Sequence, residues 1–66
     1  MNWENILKNQ EMLVYKAIKK NKSPMHISLL ERMFPRMAQS GYLRGYLNIL
    51  IRKGKATKEG QFFIAR

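Results

Sequence analysis

Ser40-Gly41-Tyr42-Leu43-Arg44-Gly45-Tyr46-Leu47-Asn48-Ile49-Leu50-Ile51-Arg52-Lys53-Gly54 is the stretch whose reading decides the fold. On a wheel of about 100° per residue, Leu43, Leu47, Leu50 and Ile51 fall together, with Tyr46 on their shoulder. Gly41, Arg44, Gly45, Asn48 and Arg52 fall on the opposite side. A helix over 40–53 therefore has one face for a core and one face of small, amide and guanidinium groups. Gly54 stands where a helix takes a left-handed closing residue, and Arg52 and Lys53 just before it suit the negative end of the helix dipole. The outer face is either solvated or a contact surface. It lacks the mixture of Glu and Lys typical of solvated faces.

Beyond Gly54 the period changes from helical to alternating. Lys55-Ala56-Thr57 and Gln61-Phe62-Phe63-Ile64-Ala65-Arg66 flank Lys58-Glu59-Gly60, which predicts a β-hairpin over 55–66 with its turn at 58–60. Phe62 and Ile64 share one face, Phe63 and Ala65 the other, and one of these faces must cover the helices. Lys58 marks the exposed tip and Lys55 bounds it.

Upstream, Leu13, Val14, Ala17 and Ile18 form an apolar stripe with Lys16, Lys19 and Lys20 off it, which predicts a helix over 9–20, either separate from or continuous with a short helix opened by 2–7. Asn2 and Asn9 are candidate caps, and Glu4 suits a first turn. Trp3, Ile6 and Leu7 are expected to pack on the domain. Asn21-Lys22-Ser23-Pro24 is a break, and Met25-His26-Ile27 is short enough to pair as a brief strand. Ser28-Leu29-Leu30-Glu31 matches the S-x-x-E capping box, so a second helix is expected over 29–34, burying Leu29, Leu30, Met33 and Phe34. Pro35 stops it. Arg36-Met37-Ala38-Gln39 then reads as a turn, with Met37 tucked inward and Arg36 either a phosphate contact or solvated.

The chain has 66 residues, which bounds it to one domain near the lower limit for folding alone. Thirteen Lys and Arg against four Asp and Glu give a net charge of +9. So strong a field on so short a chain favours a polyanionic partner, nucleic acid before anionic lipid. There is no cysteine, which fits a reducing, cytoplasmic or nucleoid-associated setting. No apolar run approaches the length of a membrane span, and the N-terminus has no secretion-signal pattern. The opening Met1 and the lack of a tag suit a complete small gene product.

The order helix, short strand, helix, turn, amphipathic helix, basic hairpin resembles the winged helix-turn-helix family. The resemblance runs from about Asn9 to Arg66 and rests on element order and on Leu47-x-x-Leu50-Ile51-x-x-Gly54. It implies an α+β domain of three helices and a short C-terminal hairpin, with the third helix in the DNA major groove and the hairpin on the backbone. By position, Gln39, Ser40, Arg44, Asn48 and Arg52 would face the groove, and Lys55 and Lys58 would be wing contacts. Chemistry points the same way: Arg bonds guanine, and Asn adenine, with paired hydrogen bonds. Arg36, Arg52, Lys53, Lys55 and Lys58 would neutralise phosphates. Gly41 and Gly45 either admit a close DNA backbone or pack against another helix. Tyr42 and Ile49 pack on the first helix or form a dimer contact; a homodimer and a protein partner both stay open.

His26 is the only histidine, and without cysteines or clustered carboxylates it makes no convincing metal site. Glu4, Glu11, Glu31 and Glu59 are scattered, and Ser23, Ser28 and Ser40 lack a base. No phosphate-loop motif is present. The expectation is a binding module without cofactor or metal: a DNA-binding regulator first, an interaction adaptor on the same fold second, an RNA binder third.

Overall fold

The computed structural model describes residues 3–66, with side chains from Lys8 onward. It is an α+β domain, mostly helical, with one small antiparallel sheet. The elements are α1 (Trp3–Lys20), β1 (Met25–His26), α2 (Ile27–Met33), α3 (Pro35–Ser40), α4 (Tyr42–Arg52), β2 (Ala56–Glu59) and β3 (Phe62–Ala65). The sheet order is β1-β3-β2, so the last strand lies in the middle. Met25 pairs with Phe63, and Ala56 with Ala65.

The core forms where α1, α4 and the inner face of the sheet meet. Val14 and Ile18 of α1, Leu30 of α2, and Leu43, Leu47 and Leu50 of α4 are all but sealed from water. Met25, Ile27, Tyr46, Ala56 and Phe63 complete the cluster. Alternation in β3 works as the spacing requires: Phe63 is buried, while Phe62 and Ile64 stay exposed. Outside the sheet, the Phe62 ring meets His26 edge-on at 5.0 Å.

α4 closes as its sequence foretells. Gly54 has φ 74°, the left-handed region where a side chain is strained. Its N–H donates to Ile51 O (3.1 Å) and the Lys55 N–H donates to Leu50 O (2.9 Å), the paired bonds of a Schellman ending. This ending turns the chain directly into β2.

Several expectations are corrected. First, the capping box at Ser28 is not used. Ile27 N–H donates to Gln61 O (2.9 Å), which pins the chain to the hairpin and starts α2 at Ile27. His26 is the N-cap: its Nδ1 accepts from the Ser28 N–H (3.1 Å) and lies 2.9 Å from Ser28 Oγ. Glu31 is then too far along the helix to reach back. Of the four residues expected on the buried side of α2, Leu30 is buried and Phe34 is half-buried against the core, whereas Leu29 and Met33 are exposed and Ile27 is buried in addition.

Second, 36–39 is a helix rather than a turn, so the described residues hold four helices instead of three. Pro35 ends α2 but also starts α3, because its fixed φ and missing N–H suit a first helical position. Third, Leu13 is 53% exposed. α4 and the sheet cover only one side of α1, and the half-buried flank of that side is Tyr15, whose hydroxyl donates to Arg66 O (2.9 Å). Fourth, Lys58 and Glu59 belong to β2, and the hairpin turns at Gly60-Gln61, because Glu59 pairs with Phe62. α1 is continuous from Trp3, so Asn9 lies within it instead of capping it. The cap expected at Asn2 and the packing expected of Trp3, Ile6 and Leu7 lie outside the described residues and side chains.

The capping assignment is testable by chemical denaturation. His26→Ala should cost about 1 kcal/mol, whereas Glu31→Ala should change stability by less than about 0.5 kcal/mol. The reverse ranking would restore the capping box.

Candidate nucleic-acid interface

The leucine face of α4 is held down, so its other face is held out. Arg44, Asn48 and Arg52 are exposed and stand four residues apart, one turn above another along α4. Gly45 lies beside them. A Cβ placed on Gly45 would meet nothing within 4 Å, so this glycine is not needed to pack against another helix of the chain. Gly41 has a different cause. Its φ of 85° makes the left-handed joint that ends α3 and starts α4.

α3 presents Arg36, Gln39 and Ser40 on its exposed arc while Met37 and Ala38 turn toward the core. Ser40 is the last residue of α3 and does not open the next helix as expected, since α4 begins at Tyr42. Its hydroxyl donates to Met37 O (3.2 Å) and accepts from the Tyr42 N–H (3.4 Å), bracing the joint. The six groove-facing and phosphate candidates Arg36, Gln39, Ser40, Arg44, Asn48 and Arg52 thus sit on two helices joined at Gly41.

The three lysines are placed elsewhere. Lys53 Nζ lies 3.1 Å and 3.2 Å from the two carboxylate oxygens of Glu11 on α1. That turns it to the α1 side of α4, away from the Arg44–Arg52 stripe. With the Lys53 side chain 51% exposed, the pair adds little stability. Lys55 Nζ stands 5.8 Å from the Tyr15 ring centroid, and Lys19 Nζ stands 5.5 Å from it. Lys58 Nζ stands 5.9 Å from the Phe63 ring, on the inner side of the hairpin.

Sequence reasoning missed the cluster of Lys19 and Lys55 about Tyr15, braced by the Arg66 backbone. Lys19 stands four residues after Tyr15, a spacing that signals half of the cluster; Lys55 arrives only through the tertiary fold.

α4 is fixed against α1 by a polar anchor as well. The Tyr46 hydroxyl donates to Gln10 Oε1. Burial pushes its pKa above the ordinary 10.0, with Tyr42 and Glu11 adding in the same direction. Among the described residues, no three His, Asp or Glu side chains gather to hold a metal ion, and no helix is long and apolar enough to cross a membrane.

No protein-family model, curated protein or solved structure matches this chain. The functional reading therefore stands on the chain's own geometry and charge.

The Tyr46 anchor carries a pH prediction. A phenol whose folded pKa is raised stays neutral in the fold while the unfolded chain ionises. Its stabilising effect is thus complete below the ordinary pKa and falls away as pH rises past it. Stability should decline above pH 10.0, and Tyr46→Phe should flatten part of that decline. Urea titrations of both proteins across the alkaline range check this; parallel declines would exclude the anchor as a cause.

Proposed function

We propose that this chain binds double-stranded DNA through α4 and serves as a small transcriptional regulator in an arrangement like the winged helix-turn-helix. In this reading α4 enters the major groove and the β2–β3 hairpin lies against the backbone. The chain performs no catalysis, and its setting is the cytoplasm or nucleoid. One observation carries the reading: the exposed Arg44–Asn48–Arg52 row runs beside Gly45, which has open space where its side chain would be.

The dimensions suit the proposal. Arg44 and Arg52 stand eight positions apart, about 12 Å along the helix, and a major groove of about 12 Å admits a helix. Arg44 and Asn48 are the base readers. Arg36 and Arg52 neutralise phosphates, and Gln39 and Ser40 contact the backbone beside them. Lys55 and Lys58 serve as hairpin contacts, with their ammonium groups swinging off the Tyr15 and Phe63 rings. Lys53 contributes only by leaving Glu11. The net charge of +9 supplies the long-range attraction.

Fluorescence anisotropy with random-sequence duplex DNA at several salt concentrations tests this reading. Affinity should fall steeply with salt. Arg44→Ala should change the preferred sequence at a cost of about 1–3 kcal/mol at one base pair, while Lys58→Ala should weaken all sequences alike and lower the salt slope by about one. Absence of binding at low salt would sink the proposal. So would two substitutions that act alike, for base reading.

Gly45→Ala separates contact from stability. It should stabilise the free protein by about 0.5–1 kcal/mol and still weaken DNA binding, because the new methyl stands where the duplex would come close. Thermal melts and anisotropy on one sample decide it; unchanged affinity would assign Gly45 no part in the contact.

A second reading has its own observation. Tyr42 is 60% and Ile49 39% exposed on the flank of α4. That apolar flank suits a protein contact, as in an adaptor or a homodimer. Under that reading Ile49→Asp abolishes partner binding or dimer formation, whereas the DNA reading leaves duplex affinity dependent on Arg44.

A further inference from the structure

α1 and α2 do not close on each other. Between them runs a cleft of about 370 Å³, lined by Ala17, Lys20, Asn21, Met25, Leu29 and Met33. Leu29 and Met33 stand four residues apart on one face of α2 and are 43% and 48% exposed. Ala17 opposite them is small, which leaves the floor open. One turn before it on the same stripe, Leu13 is 53% exposed. The apolar strip is therefore longer than the cleft itself.

The charge around this strip has one sign. Lys16 and Lys20 flank it on α1, Lys22 follows on the connecting turn, and Arg32 flanks it on α2; all four are exposed. No carboxylate lines the cleft among the described residues. Glu31, on the same helix as Leu29 and Met33, points about 160° away from both on the wheel. Glu11 is engaged with Lys53.

We propose that the α1–α2 cleft is a docking groove for an acidic amphipathic helix of a partner protein. Such a helix sets apolar anchors at three- and four-residue spacing against Leu29, Met33, Ala17 and Leu13, and its carboxylates meet Lys16, Lys20 and Arg32 on the rim. Charge argues against a second copy as the occupant, because two copies would bring the same cations together. It also argues for a helix over a neutral apolar strand, since only an acidic partner uses both rims. The groove shares no residue with the Arg44–Arg52 row, so the inference stands apart from the DNA reading.

The probe is a fluorescein-labelled peptide of about 16 residues, with Leu at helical positions i, i+3, i+4 and i+7 and Glu on the other face. Two controls replace its Leu with Ala or its Glu with Lys. Anisotropy at near-physiological salt should show binding of the acidic Leu peptide alone. Met33→Asp and Lys20→Glu in the protein should each weaken it by about tenfold or more, and Arg44→Ala should leave it unchanged. Circular dichroism checks the fold of each variant, and Leu29→Gln repeats the test should Met33→Asp unfold.

No binding of the acidic Leu peptide overturns the proposal. Equal binding of the Ala peptide overturns it too, because charge alone then suffices. Sedimentation showing a dimer that Met33→Asp dissolves assigns the groove to a second copy. Displacement of the peptide by duplex DNA from wild-type and Arg44→Ala protein alike makes the cleft part of a general polyanion surface, and the proposal fails. Loss of DNA binding with retained peptide binding sinks only the DNA reading.

Discussion

The burial of one side of α4 is the constraint on which the rest of the structure depends. Leu43, Leu47 and Leu50 are each about as buried as a side chain can be, and Tyr46 lies beside them. A buried leucine contributes about 1.5–3 kcal/mol relative to an exposed one. In a chain this short those few side chains are a large part of what folding has available. Once they face Val14 and Ile18, α4 has no rotational freedom left. Arg44, Asn48 and Arg52 must point outward, and Gly54 must turn the chain at the one place that lets Ala56 and Phe63 roof the same core.

That constraint also explains what was legible in the sequence. α4 has a strong helical period and a distinct ending, so its core face, its outer face and its closing Gly54 all read correctly, with the ends shifted from 40–53 to Tyr42–Arg52. β3 was legible because alternation leaves few choices for Phe62-Phe63-Ile64-Ala65, and the brief pairing of Met25-His26 followed from its length. The errors lie where a tertiary bond outweighed a local signal. Ser28-x-x-Glu31 is a sound capping box, but the bond from Ile27 to the hairpin turn starts the helix two residues earlier and hands the cap to His26. In the sequence Pro35 reads as a stop and not as a start. Both roles follow from the same missing N–H.

The candidate site was legible in part, for the same reason. Its α4 residues follow from the period alone. The directions of the lysines do not, because long side chains settle by contacts made far along the chain: Lys53 on Glu11, forty-two residues away, and Lys55 on Tyr15. Gly41 and Gly45 look alike in the sequence, yet one is a backbone requirement of the joint and the other fills no steric need of the fold. Only the three-dimensional surroundings separate them.

A small domain with a full core has no obvious reason to leave large apolar side chains in water, yet eight are exposed among the described residues, Leu13, Leu29, Met33, Tyr42 and Ile49 among them. Isolated exposed residues are ordinary, but Leu29 and Met33 share a face, as do Tyr42 and Ile49. Surfaces of this kind invite self-association. The excess of cations opposes it, since every copy carries +9 and like charges repel. Under the proposed readings, the charge that would draw a polyanion would also hold these faces open to an oppositely charged surface. Under those proposals charge and apolar exposure act together: the cations would select the sign of the partner, and the apolar faces would set where it rests.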